Sequence, residues 1–174
     1  MEKEKLKKLS RRGLFFVICL ILFSCASTVN QNYFSNTLGL NVKIQKKVFD
    51  SSDAINPQGE GYSIEALTFK NEEKESLFID KANYPKPSEV RKNWKISSWQ
   101  NAPLANKDVL ELLFKYRMEN EAMKEQIQKI KEVLNSSDNY FSYFYKDHKG
   151  YIYAVDICIV DVKNKKIYLC EIIT

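Results

Sequence analysis

Glycine and proline are scarce in this chain, five and four among 174 residues, which excludes collagen-like, linker-rich and low-complexity classes. One histidine, His148, has no partner at zinc-ligand spacing. The patterns Gly-x-Ser-x-Gly, His-Glu-x-x-His and the phosphate loop are all missing, so neither a metal nor a cofactor is expected. Ser137-Asp138-Asn139 spells one element of the penicillin-binding serine enzymes, but no Ser-x-x-Lys or Lys-Thr-Gly accompanies it. It reads as a helix-ending turn, and no catalytic residue is assigned.

An excess of one charge is lacking too. The formal net charge is +5, but the first 24 residues hold six basic and two acidic residues. Subtracting that head from the 27 basic and 22 acidic residues of the whole chain leaves +1 for the remainder. A nearly neutral, mixed-charge domain carries no electrostatic footprint for nucleic acid, so no nucleic-acid partner is expected.

What is present begins with that head. Lys3, Lys5, Lys7, Lys8, Arg11 and Arg12 precede an apolar run over residues 14–23, then Ser24 and Cys25. A basic head, a short apolar core and a small-residue site make an export signal. The run is too short for a membrane span, which needs about 20 residues. Leu22-Phe23-Ser24-Cys25 resembles the lipobox of bacterial lipoproteins, with Phe23 bulkier than the usual residue at its place. The resemblance implies diacylglycerol on the Cys25 thiol and cleavage before Cys25, so residues 1–24 are a signal peptide and the membrane is the first partner. Two or three acyl chains anchor stably where one does not. Ala26 stands where an aspartate retains enterobacterial lipoproteins at the inner membrane. The expected place is therefore the cell envelope, with the outer membrane facing the periplasm where the cell has one.

Residues 25–38 are polar and aperiodic and read as the lipidated cysteine with a flexible tether, leaving 39–174 as one domain. Val42, Ile44 and Val48 alternate with polar residues as a strand, residues 62–69 form a second, and 77–79 a short third. Ser88 reads as the cap of a short helix carrying Val90 and Trp94, and Trp99 lies in an irregular approach to a long helix. That helix runs from an Asn106 cap to residue 134, with Val109, Leu113, Tyr116, Asn120, Met123, Ile127, Ile130 and Leu134 on one stripe. Asn120 is its one polar member, and a break into two helices near 118–120 is the alternative. The repeat also fits a coiled-coil seam, but the abundance of strands favours a helix laid on a sheet.

Residues 140–146, 151–162 and 166–173 are strand-like and joined by short loops, which makes a C-terminal three-stranded antiparallel meander. The fold class is thus α+β, an antiparallel sheet with one long helix packed on it. The middle strand is apolar on both faces and should be central. Cys158 and Cys170 oppose each other if the last hairpin has a three-residue loop, and a disulfide is then allowed. A two-residue loop puts them on opposite faces as two buried thiols.

Gly59-Glu60-Gly61, Leu67-Thr68-Phe69, Trp94-Lys95, Pro103-Leu104 and the aromatic stretch 140–147 with its terminal hairpin together resemble a group of small uncharacterised bacterial proteins, many of them lipoproteins. Their pattern has aspartate where Glu60 stands and ends in Asp-Thr where this chain ends Ile173-Thr174. The resemblance implies the order of elements and no activity.

Glu60 between two glycines is the best acid candidate, because glycines let backbone amides approach a ligand. The plainer reading is a turn before a strand, with Gly59, Glu60 and Gly61 as a ligand turn only if a second group joins them. The aromatics at 140–153 are core and cross-strand pairs by their spacing, or a stacking platform where the sheet is open. These features point to a non-catalytic envelope binding or assembly module with an envelope protein partner. The alternatives are a small enzyme centred on Glu60 and an inhibitor or immunity lipoprotein.

Overall fold

Six segments of alternating or doubly apolar sequence build one sheet, seen in a computed structural model that describes residues 30–51, 61–71, 76–115 and 120–174. The strands are β1 (Lys43–Asp50), β2 (Gly61–Lys70), β3 (Lys95–Asn101), β4 (Tyr140–His148), β5 (Tyr151–Asp161) and β6 (Lys166–Ile173). Their order is β1-β2-β6-β5-β4-β3 and every neighbouring pair is antiparallel. Two helices, α1 (Lys107–Lys115) and α2 (Glu121–Leu134), pack on the sheet. The class is mixed α+β.

β5 explains the layering. Val155, Ile157 and Ile159 point to the helices, where they meet Val109, Leu113 and Ile130 in one core. Ala154 and Val160 are also buried, and Cys158 and Val160 belong to a second core with Phe34, Leu38, Leu40, Phe69, Trp99 and Phe144. A strand apolar on both faces needs cover on both. Here the second cover is irregular chain, residues 30–42 and 76–94. Burying each such aliphatic or aromatic side chain contributes about 1.5–3 kcal/mol.

The expected single helix is two. Asn120 lies outside the helical conformation, and its side-chain oxygen accepts from the Ala122 and Met123 amides at 2.8 and 3.3 Å, capping α2. The polar member of the stripe is therefore a helix start. Asn106 caps α1 in the same way, accepting from the Asp108 and Val109 amides.

The C-terminal strands β4, β5 and β6 are hairpin neighbours, but they do not close the sheet as a separate meander. β6 pairs with β2 on its far side and β4 with β3, so the three form the middle of six. The strand β3 was hidden in the sequence because a bulge between Ser97 and Gln100 breaks its alternation. Residues 77–79, expected as a strand, make only one bridge, Leu40 to Phe78. Ser88 does accept from the Arg91 amide, but the turn it starts is the three-residue 3-10 turn Glu89–Arg91, with Val90 78% exposed.

Part of the expected tether is folded. Tyr33–Thr37 is a π-helical turn, and Phe34 and Leu38 are buried. The Trp99 indole donates to the Leu38 carbonyl at 2.8 Å. Gln31 clips the segment to β1, donating to the Val42 carbonyl at 2.6 Å and accepting from the Ile44 amide at 2.9 Å. Residues 30–38 are thus packed, ahead of the expected boundary at 39, because Phe34 and Leu38 supply cover that the open face of the sheet requires. Gly39 then has φ +69°, and a Cβ there would fall inside the Tyr84 ring, so only glycine fits.

Candidate functional site

The register of β5 and β6 sets Asp156 directly opposite Glu171 on the face away from the helices. Two carboxylates side by side on one sheet face repel. Arg91 resolves the conflict, donating from Nε to Asp156 at 2.9 Å and from Nη2 to Glu171 at 2.7 Å. The Ser88-capped turn holds Arg91 in place, and its guanidinium lies over the Trp94 ring, 4.7 Å from the centroid. Lys146 approaches the same ring at 5.2 Å.

The cluster is largely dry, with side-chain exposures of 16% for Arg91, 13% for Asp156 and 27% for Glu171. Burial pushes the Asp156 carboxyl above its usual range, and the Arg91 charge works against that push. Burial also acts to lower the Arg91 proton affinity, but Asp156 and Glu171 together raise it. Burial is again the main cause for Tyr33, whose phenol is pushed well up, with Asp156 adding to the effect.

Tyr33, Arg91 and Asp156 line a cavity of about 380 Å³ with Asn32, Asn36 and Ser88. Its wall offers amide and hydroxyl groups, and its charged lining is Arg91 with Asp156. Such a site suits recognition of a polar or cationic group. It does not assemble a nucleophile: the Tyr33 proton is held tightly, and burial pushes the nearby Cys158 thiol up. A larger cavity of about 450 Å³ lies between α1 and the start of β5, lined by Leu112, Lys115, Tyr151 and Ile152. No site is built there.

Of the residues expected from sequence, Cys25, Gly59 and Glu60 lie outside the described residues. Gly61 opens β2 opposite Ile173. The cysteines do not bridge. Asp161 pairs with Lys166 across a four-residue loop at 162–165, which sets Cys158 against Leu169 and Cys170 against Ile157. An even loop length puts the two thiols on opposite faces, each buried in a different core and free. The aromatic stretch is mostly core: Phe141, Tyr143 and Phe144 are buried, while Tyr151 and Tyr153 are exposed. His148 ends β4 opposite Tyr151.

Ser137-Asp138-Asn139 is a turn with one structural residue. Asn139 is 5% exposed; its amide donates to the Val133 carbonyl at 3.0 Å, and its oxygen accepts from Val162 at 3.1 Å. Its own carbonyl accepts from Ala102 at 2.9 Å. It ties the end of α2 to the end of β3 and to the last hairpin.

Sequence reading missed Arg91, Asp156 and Glu171. A signal was there: Asp156 is the one charged residue between Tyr153 and Val160, and Glu171 the one between Ile167 and Ile173. A lone acid in a strand apolar on both faces has to find a partner. Among the described residues no group of His, Cys, Asp and Glu has the arrangement to hold a metal ion, and no helix is long and apolar enough to cross a membrane. Compared with known proteins, the chain matches no family model, no curated protein and no solved structure.

Proposed function

We propose that this chain is a lipid-anchored bacterial envelope protein whose domain binds an envelope component and does no chemistry on it. The observation that carries the anchor is the head itself: a basic run, an apolar core over residues 14–23, and Ser24 before Cys25. The nearly neutral remainder fits a protein partner better than a nucleic acid. The Ala26 position favours the outer membrane facing the periplasm where there is one.

In this reading β4–β6 act as the meander that carries the domain, and α1 with α2 serve as one helical layer over it. The polar cavity above Arg91 and Asp156 is where binding is centred. The ion pairs favour recognition over turnover, because Arg91 already engages both carboxylates of the cluster.

Two experiments test the proposal. Cys25→Ala should move the protein from the membrane to the soluble fraction, and continued membrane retention would count against the lipid anchor. In-cell cross-linking followed by mass spectrometry should recover one stoichiometric envelope partner, whose yield falls when Asn32 and Asn36 at the cavity are replaced by alanine. Recovery of the protein alone would remove the assembly reading.

A further inference from the structure

We propose that the pole of the domain carrying Asn30, Val90 and the mouth of the Arg91–Asp156 cavity rests on the bilayer that holds the Cys25 lipid, so that the cavity opens onto lipid headgroups. The inference rests on the lipid anchor proposed above and adds an orientation to it.

Chain length is the first ground. Five residue steps separate Cys25 from Asn30, and at most about 3.6 Å per residue they reach roughly 18 Å. A domain spanning residues 30–174 has a radius of gyration of about 15 Å, hence a diameter of roughly 38 Å. The reach is about half the diameter, so the domain cannot turn its far side to the membrane. Whatever surrounds Asn30 stays close to the headgroups.

The point of emergence is also fixed. Gln31 is clipped to β1 by two hydrogen bonds, Phe34 is buried one turn later, and the Thr37 carbonyl accepts from the Lys86 amide at 2.8 Å. The exit of the chain therefore moves with the sheet as one body. Asn30 itself lines the cavity, together with Val90 and Arg91. The cavity mouth and the exit are the same place.

The chemistry of the pole suits a headgroup layer. Val90 stands 78% exposed on its short turn. Exposed Lys86 and Lys92 flank it, with Glu89 the one acid between them. An apolar tip with cations on either side can enter the interface while its charges stay among phosphates. The helices are on the opposite face of the sheet, so α2 should point away from the bilayer and stay open to soluble partners.

The test uses the full lipidated protein in phosphatidylethanolamine and phosphatidylglycerol vesicles that carry a nitroxide on the headgroup. The variants Val90→Cys and Gln128→Cys, each adding one exposed cysteine, are labelled with an environment-sensitive fluorophore. Cys158 and Cys170 are buried and do not compete for the label. Gln128 is exposed on α2. The expected result is emission at position 90 more than halved by the nitroxide and shifted to the blue, with position 128 unchanged. Vesicle-bound protein with position 90 unquenched, or with position 128 quenched as strongly, overturns the orientation and leaves the anchor standing. Failure of the lipidated protein to float with vesicles overturns the anchor, and the orientation with it.

Discussion

Asp156 and Glu171 face each other across β5 and β6 with a single guanidinium between them. Removing one partner of a buried ion pair leaves an uncompensated charge, which costs more than the pair contributes. Arg91→Met should therefore destabilise the domain by about 3 kcal/mol, read by urea unfolding near neutral pH. The loss should shrink as pH falls. Burial holds the Asp156 proton affinity above the usual 3.8 in the folded state. The stability Asp156 contributes is thus fully present below that value and lost as pH rises through its folded value. Without Arg91 the lowering influence is gone, so Asp156 keeps its proton to higher pH and the penalty grows from pH 4 toward 7. A loss independent of pH would show that the cluster is held by packing alone. None of this is visible from local sequence, where Arg91 lies 65 positions from Asp156 and 80 from Glu171. Only the isolation of each acid in its strand hinted at it.

Elements were more legible than contacts. β2, β4, β5 and β6 were readable because their apolar residues keep strand periodicity over long stretches. β3 was not, since its bulge breaks the period, and a bulge depends on pairing that the local sequence does not encode. The helix break was encoded but ambiguous: Asn120 sits on the apolar stripe at correct spacing, and its capping role becomes clear only in three dimensions. Asn120→Ala should cost about 1 kcal/mol of stability by removing two hydrogen bonds to the first turn of α2. A neutral result would mean that the two helices join once the cap is gone. Hairpin parity decides the cysteines in the same way. Alkylation of the native domain should modify neither Cys158 nor Cys170, and alkylation after denaturation without reductant should modify both. A bridged species would require the last hairpin to change register by one residue.

At the scale of the molecule, residues 30–38 are packed where a flexible tether was expected. Residues 30–38 look like a tether because Asn30, Gln31, Asn32, Ser35, Asn36 and Thr37 dilute the two apolar residues that matter. Periodicity is blind to a short irregular turn, yet such a turn covers the face of the sheet that the helices leave open. Phe34 and Leu38 are 2% and 1% exposed, so their loss would bare Leu40, Phe69 and Val160 beneath them. Each contributes about 1.5–3 kcal/mol by burial, and deleting residues 25–38 should therefore destabilise the domain by roughly 5 kcal/mol in all. For a domain of this size, 2–4 °C per kcal/mol puts the fall in melting temperature at about 15 °C. The double variant Phe34→Ser with Leu38→Ser should lose a comparable amount while keeping the chain length, which separates packing from truncation. A melting temperature unmoved by either change would restore the tether reading. It would also lengthen the reach from Cys25 and free the domain to present any face to the membrane, so this measurement bears on the orientation as directly as on the fold.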